Sequence, residues 1–571
     1  SFVPVTVPSN NDQKREVRAS TGVTIDETTH EIGYTTILRS GDKIDGGTFG
    51  LILDQDGNPV REDSGEYLIS SETDFSSLFQ SGDRFYSITH FENRPGAMYL
   101  TELSQHSETG RLEAISTQNI DFSQWYGLWM PSGGSVTPWQ THLGTEKSPP
   151  DARGFEEAES VDDVDTYLKP MLRYFGITDP AAEDVTLDVI WNNINPYDYG
   201  YPIEVGVEED GTINVNKRYA LGRLAMENAY VMPDKKTIYM TDGDSNGGLY
   251  LFRADESEDL SAGNLFAAQW IQEDSIEGGM AEIEWIELGH VTQDAIKSTL
   301  DQGITFSDIF DIGRANADYT CPEGYTSINI AKSGHECLAV RGGMESVASR
   351  LETRRYAAML GATTEFRRAE GIAYDPDDKI LYIAMNEISN GMEDNSVDGK
   401  TDNKFDRGGG NHITLPYNPC GCVYALQLRS KDAVGGKYVA KNMYDVICGE
   451  TASYRGSSAY NNNTCNVDSI ANPHNLTFIT NYKTLIISED SESGHENDAL
   501  WSYNVDDGEL IRILTTPYGA ESTSPYFHPD INGFAYLTSV IQHPYADSDE
   551  EPLSDSDTMG YVGYIGVMPA F

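Results

Sequence analysis

Positive charge is scarce in this sequence. Over 571 residues, 39 Lys and Arg stand against 91 Asp and Glu, a formal net charge of −52. Such a surface repels polyanions, which argues against nucleic-acid binding and disfavours anionic membranes. The acid excess favours solubility, hard cations such as calcium that take carboxylate oxygens, or salty water that screens the surface. Long apolar runs are missing too, so no membrane-spanning segment is expected. The first residue is Ser1 and not Met, and we expect a processed product whose leader, if any, has been removed.

Cysteine is limited to six residues. Cys321 and Cys337 flank one irregular segment, Cys448 and Cys465 flank another, and Cys420 and Cys422 form a close pair. Three local disulfides in an oxidising compartment are the expectation, although spacing leaves the connectivity open. No spacing matches a zinc ribbon.

Glycine (53) and tyrosine (33) are plentiful. Short apolar runs alternate with Gly, Asp and Asn turns over most of the length, which predicts an all-β chain. No strict repeat is visible, yet strand-turn-strand units recur at a spacing suited to a β-propeller. We expect one domain over 1–571: an extended N-terminal arm (1–25), about six or seven blades, and helical or loop insertions near 254–345 and 390–412. The Asp-, Asn- and Gly-rich second insertion reads as a flexible or cation-binding loop, flexible being the preferred reading.

Glu352 to Glu387 organises the rest. Met344, Val347, Leu351 and Leu360 recur at helical spacing, and Gly361 is placed to cap the helix. A hairpin follows around Asp375-Pro376-Asp377-Asp378. At its mouth Arg368 and Glu370 lie two residues apart and so face the same way, an arrangement suited to holding a cation and an anionic substrate side by side. Further acids sit at other strand ends: Glu146, Glu227, and the turn with Asp242, Asp244 and Asn246.

Several segments, in order, resemble motifs of the PhoX family of secreted calcium-dependent alkaline phosphatases. KRYALGRLAMENA is similar to K-R-T-A-L-G-R-F-x-H-E-G-A, VTPWQTHLGTEK to T-P-W-G-T-x-L-T-C-E-E, and TRRYAAMLGATTEFRRAEGIA to T-R-x-A-A-x-x-L-G-A-T-x-x-x-R-P-E-x-I. NPHNLTF with IISED resembles S-P-D-N-L-x-F and a following Thr-Asp, while YGAESTSPYFHPD and IQHPY match G-x-E-x-T-G and Q-H-P-G. The resemblance implies a propeller whose strand ends gather metals and hydrolyse phosphate esters. It implies Glu146, Glu227 and Glu370 as metal ligands, Glu521 and Asp490 as additions, and Arg368 as the contact to phosphoryl oxygens, with Glu370 and Arg368 the catalytic pair. The cofactors implied are calcium and a transition-metal centre of iron, manganese or zinc; the location is secreted, periplasmic or extracellular.

Three positions depart from the family pattern. Thr145 stands where the family has its iron-binding Cys, Lys147 where it has a second Glu, and His474 where it has an Asp. Thr is a poor substitute for a soft thiolate, while an imidazole at His474 suits manganese, zinc or iron and resembles related propeller phosphotriesterases. Phosphoester hydrolysis is therefore the reading. A phosphotriesterase and a non-catalytic, calcium-stabilised propeller that binds partners or coats a surface are the alternatives. Because triesters carry no charge, Arg368 favours an anionic ester.

Overall fold

The computed structural model describes residues 1–571. Alternating apolar and polar runs closed by Gly, Asn or Asp form antiparallel meanders. Six of these stand round a common axis as blades of a propeller. Numbered in chain order, their inner strands are Thr73–Ser81, Pro131–Val136, Met226–Val231, Ala369–Asp375, Pro473–Ile479 and Glu521–Ile531. Each inner strand touches the next, and the sixth returns to the first, so the ring is closed.

Apolar faces pack between the blades. Between blades 4 and 5, Tyr382, Val423, Phe478 and Trp501 share one buried cluster, with Tyr382 and Phe478 stacked at 5.6 Å. The N-terminal segment takes part in closure. Gly33–Arg39 is the outermost strand of blade 6 and Arg18–Ala19 pairs with the outer strand of blade 5. The arm expected over 1–25 is thus partly built into the sheets, which covers edges that would otherwise be open.

The first insertion begins later than expected. Ala262–Asp274 and Met280–Thr292, inside the span assigned to an insertion near 254–345, are long outer strands of blade 3. Their period-two burial, with Ala281, Ile283, Trp285 and Leu288 inside, marks them as strands. The fifth strand of blade 3 also pairs with Asn442–Cys448 and fuses blades 3 and 4 into one sheet. The inserted segment proper starts at the helix Gln293–Asp301 and ends before Ala369.

The single helix expected before Gly361 is two, Glu345–Leu351 and Thr353–Met359. The break falls at Glu352, whose carboxylate accepts from the Tyr197 hydroxyl at 2.8 Å and pairs with Arg355. Gly361 does take the left-handed φ of 94° expected of a cap.

Cys321 bonds Cys337 as expected, but the other four cysteines pair as Cys420–Cys465 and Cys422–Cys448. Cys422 and Cys448 lie directly opposite each other on neighbouring strands of blade 4, with Cα atoms 4.0 Å apart. Gly421, at φ 74°, turns the chain between Cys420 and Cys422 and sends each to its own partner. The Cys420–Cys465 bond spans 45 residues. Replacing both by Ser is expected to cost about 4 kcal/mol through the freed unfolded chain. A urea unfolding series measures this, and an unchanged midpoint would contradict it.

Candidate active site

The six blades repeat one local geometry that side-chain identity conceals. The first residue of each inner strand lies opposite the last residue of the second strand: Thr73 with Phe91, Pro131 with Glu146, Met226 with Asp242, Ala369 with Met385, Pro473 with Glu489, and Glu521 with Gln542. In every blade the register slips within the next few residues. Such a bulge re-aims the side chains beside it. The inner-strand residues inside the slip are Asp74, Ser132, Glu227, Glu370 and His474 in blades 1 to 5 and Ser524 in blade 6, where Ser522 and Thr523 stay paired, and those just beyond the second strand are Glu92, Lys147, Gly243, Asn386, Asp490 and His543.

Two glycines let the inner strands approach at this level. A Cβ on Gly133 would collide with the Glu227 carbonyl, and one on Gly371 with the backbone of Asn475.

Around the axis these positions join into one polar cluster. Glu227 Oε1 lies 3.0 Å from His474 Nε2, and Glu370 Oε2 lies 3.6 Å from the same nitrogen. Lys147 Nζ stands 3.3 Å from Glu227 Oε2, and the Ser132 hydroxyl lies between Glu227 (3.0 Å) and Asp74 (3.1 Å). Arg368 Nε donates to Glu370 Oε1 at 2.8 Å and its Nη2 donates to Asp490. Arg368 holds a left-handed φ of 58°, unusual for a non-glycine residue. At the rim, His543 reaches Glu72, Glu521 and Asp547 at 2.7, 3.2 and 3.3 Å.

Acids crowd this space, and their protonation reflects it. Burial, with repulsion from Glu227, pushes the Glu370 carboxyl up to about 7. Burial and Asp490 do the same for Glu521, also to about 7. Asp74 is raised by burial and by Glu92. For Glu227 burial acts upward too, but Lys147 and His474 outweigh it and hold the carboxylate ionised; Arg368 does so for Asp490. His474 would lose its proton to burial, yet Glu227 and Glu370 raise it to about 10.

Arg368, Glu370, Glu227, His474, Asp490 and Glu521, singled out from the sequence, are therefore brought together. Glu146 is not. Its carboxylate pairs with buried Lys217 at 2.6 Å and accepts from Gly200 N at 2.7 Å. Glu146 belongs to the ladder opposite Pro131, so it points away, and Lys147, one residue on, enters the cluster. Thr145 donates its hydroxyl to Gly133 O at 2.7 Å. His142 is also remote, bonded to His90 and Ser77. The Asp242–Asp244 turn meets Arg354.

Sequence reading missed Lys147, Asp74, Ser132 and His543 as members. The available signal was positional: each lies at the start of an inner strand or just after a second strand. An open cavity of about 830 Å³ lies elsewhere, between the far ends of blades 1, 2, 3 and 6, and none of these residues lines it.

The family profile described as alkaline phosphatase PhoX matches residues 97–544. The chain belongs to the PhoX family. Among solved structures, Pseudomonas fluorescens PhoX in complex with vanadate, a transition-state analogue, is similar at a TM-score of 0.63 and 16% identity, over 99% of this chain and 98% of that chain. Lower similarity extends to a family AA12 carbohydrate-active enzyme of Trichoderma reesei, with a TM-score of 0.35, 9% identity and coverage of 97% and 99%. No curated protein sequence matches the chain. PhoX enzymes are metal-dependent phosphoric ester hydrolases.

The residues present fit that requirement. Ligand atoms of Glu227, Glu370 and His474 lie within 4.8 Å of one another, as do those of His474, Asp490 and Glu521, and those of Glu521, His543 and Asp547. Glu370 Oε2 is buried without a hydrogen-bond partner, as expected of an atom meant for a cation. The donors are carboxylate and imidazole with no thiolate, which suits hard and borderline ions.

Two outcomes follow for this PhoX chain. Glu146→Gln leaves Lys217 buried and unpaired, so it should lose about 3–5 kcal/mol of stability without changing metal content, measured by denaturation and elemental analysis; a lower metal count would return Glu146 to the site. At about pH 6 the metal-free Glu370 and Glu521 carboxyls hold protons, so metal uptake should release protons and tighten as pH rises through their range. Calorimetry in buffers of different ionisation enthalpy detects this, and uptake without proton release would contradict it.

Proposed function

We propose that the axial cluster hydrolyses anionic phosphate esters, with monoesters as the preferred class. The observation that carries this reading is the placing of Arg368 and Lys147 against a buried set of carboxylates and one imidazole. Glu227, Glu370, His474, Asp490 and Glu521 would hold the metals, with His474 favouring manganese, zinc or iron and the carboxylate side favouring calcium. Bound metals supply Lewis acidity toward phosphoryl oxygens and water.

The chain's own groups do the positioning. Arg368 is anchored through Nε and Nη2 by Glu370 and Asp490. That leaves the Nη1 edge of its planar fork for the phosphoryl oxygens, already oriented before substrate arrives. Lys147 adds a fixed positive charge beside Glu227, and its side chain keeps only 15% of its surface exposed. Charge that develops on phosphoryl oxygens in such a water-poor site is stabilised more strongly than in solvent. A neutral triester would leave both cations without a counterpart, which favours charged substrates over the phosphotriesterase reading. Three disulfides and the absence of any helix long and apolar enough to cross a membrane support work in an oxidising compartment outside the cytoplasm.

Arg368→Ala is expected to lower kcat for p-nitrophenyl phosphate by about 10²–10³-fold and to affect a neutral dialkyl p-nitrophenyl phosphate much less. Equal losses on both would oppose the assigned contact. Glu370→Gln should abolish turnover while circular dichroism stays native; retained activity in a folded variant would overturn the site.

A further inference from the structure

Where blades 4 and 5 meet through apolar side chains, blades 1 and 2 are also joined by a line of buried polar ones. Ser77 lies on the inner strand of blade 1 and Ser132 on that of blade 2, while His90 and His142 lie on the second strands, Arg84–Phe91 and His142–Glu146. All four residues are buried. Ser77 Oγ stands 2.7 Å from His142 Nδ1, His142 Nε2 stands 2.7 Å from His90 Nε2, and His90 Nδ1 meets the carbonyl oxygen of Ser132. Each link therefore crosses from one blade to the other. The rings are fixed in place: Phe75 packs 5.6 Å from the His90 ring and 5.2 Å from the His142 ring, and a Cβ on Gly144 would strike His90.

These partners dictate where the protons lie. A carbonyl only accepts, so His90 Nδ1 carries a hydrogen. No carboxylate touches either ring. Burial holds His90 down to about 4, and burial together with His90 holds His142 well below the ordinary imidazole value, so both rings are neutral. A neutral ring has one N–H, which makes His90 Nε2 an acceptor. His142 Nε2 must then donate to it, and His142 Nδ1 accepts from the Ser77 hydroxyl. The two rings are opposite tautomers, and every polar atom in the line has a partner.

The line ends at a residue of the axial cluster. Ser132 sits where the blade 2 register slips, between the pairs Pro131–Glu146 and Gly134–Gly144. The ladder is interrupted there, and His90 supplies a donor to the Ser132 carbonyl. The hydroxyl of the same residue lies 3.0 Å from Glu227 of blade 3 and 3.1 Å from Asp74 of blade 1. We propose that His90, aligned by His142, is a positioning residue for the axial cluster: by holding the Ser132 carbonyl it keeps the Ser132 hydroxyl between Glu227 and Asp74 and sets the direction of the Glu227 carboxylate. This rests on the reading of Glu227 as a metal ligand. Groups that orient a ligand from behind are commonly worth about 10–100-fold in activity or metal affinity.

The test has a diffraction arm and a kinetic arm. Neutron diffraction from the perdeuterated, metal-loaded full chain near neutral pH should show deuterium on His90 Nδ1 and His142 Nε2, with His90 Nε2 and His142 Nδ1 bare. A doubly protonated ring, or the reverse order, would overturn the proposal. His90→Phe removes both ring nitrogens and is expected to lower kcat for p-nitrophenyl phosphate about 10–100-fold with KM little changed. His90→Asn, whose amide nitrogen can stand where Nδ1 stood, should recover most of that loss. Wild-type kcat in a folded His90→Phe enzyme, or no recovery in His90→Asn, would count against the role. Glu227→Gln, assayed alongside, separates the two readings: full turnover there removes the ligand assignment and the positioning role with it, whereas lost turnover there beside an unaffected His90→Phe removes the positioning role alone. The neutron arm uses the unaltered chain, so it decides the matter even if a substitution prevents folding.

Discussion

Glu227 and Glu370 are buried at the starts of neighbouring inner strands, and the charge on Glu227 makes Glu370 harder to ionise. Much of the local structure answers that repulsion. Lys147 and His474 hold Glu227 charged, Arg368 bridges Glu370 to Asp490, and Ser132 links Glu227 to Asp74. Even so, carboxylates outnumber the cations facing them, and several protein atoms remain without partners. A buried acidic cluster of this kind is costly unless it is protonated or filled by cations. Metal dependence in this PhoX chain is therefore a consequence of how charge is packed on the axis.

The propeller supplies that packing by repeating a backbone device. In each blade an opening ladder pair is followed by a slipped register, which exposes one residue of the inner strand and one after the second strand. Evolution has filled those places with Asp, Ser, Glu, Glu, His and Ser on the inner strands, so the symmetry lies in hydrogen bonding and not in side chains. For that reason no repeat is visible along the sequence. The same backbone logic separates Glu146 from Lys147: adjacent strand residues face opposite ways, and a choice between them turns on register, which propensity does not reveal.

The legible parts were those with strong local signals. Alternation announced an all-β chain, and the two-residue spacing of Arg368 and Glu370 correctly paired them. The illegible parts depended on distant partners. Blade 3's fifth strand looked like part of an insertion until blade 4 was seen beside it, and Cys422 found Cys448 only because their strands are neighbours. The break at Glu352 depends on Tyr197, far away in the chain. His543 gave no signal because nothing near it in sequence points to Glu72 and Glu521, which contact it in the folded chain.

The central claim is that residues from separate blades form one metal pocket at the mouth of the axis. Diffraction from the purified full chain at the iron, manganese and zinc absorption edges addresses it most directly. The account requires transition-metal signal bounded by Glu227, Glu370, His474 and Asp490, with Arg368 alongside. Signal confined to peripheral loops, with the axis free of any ion, would contradict it.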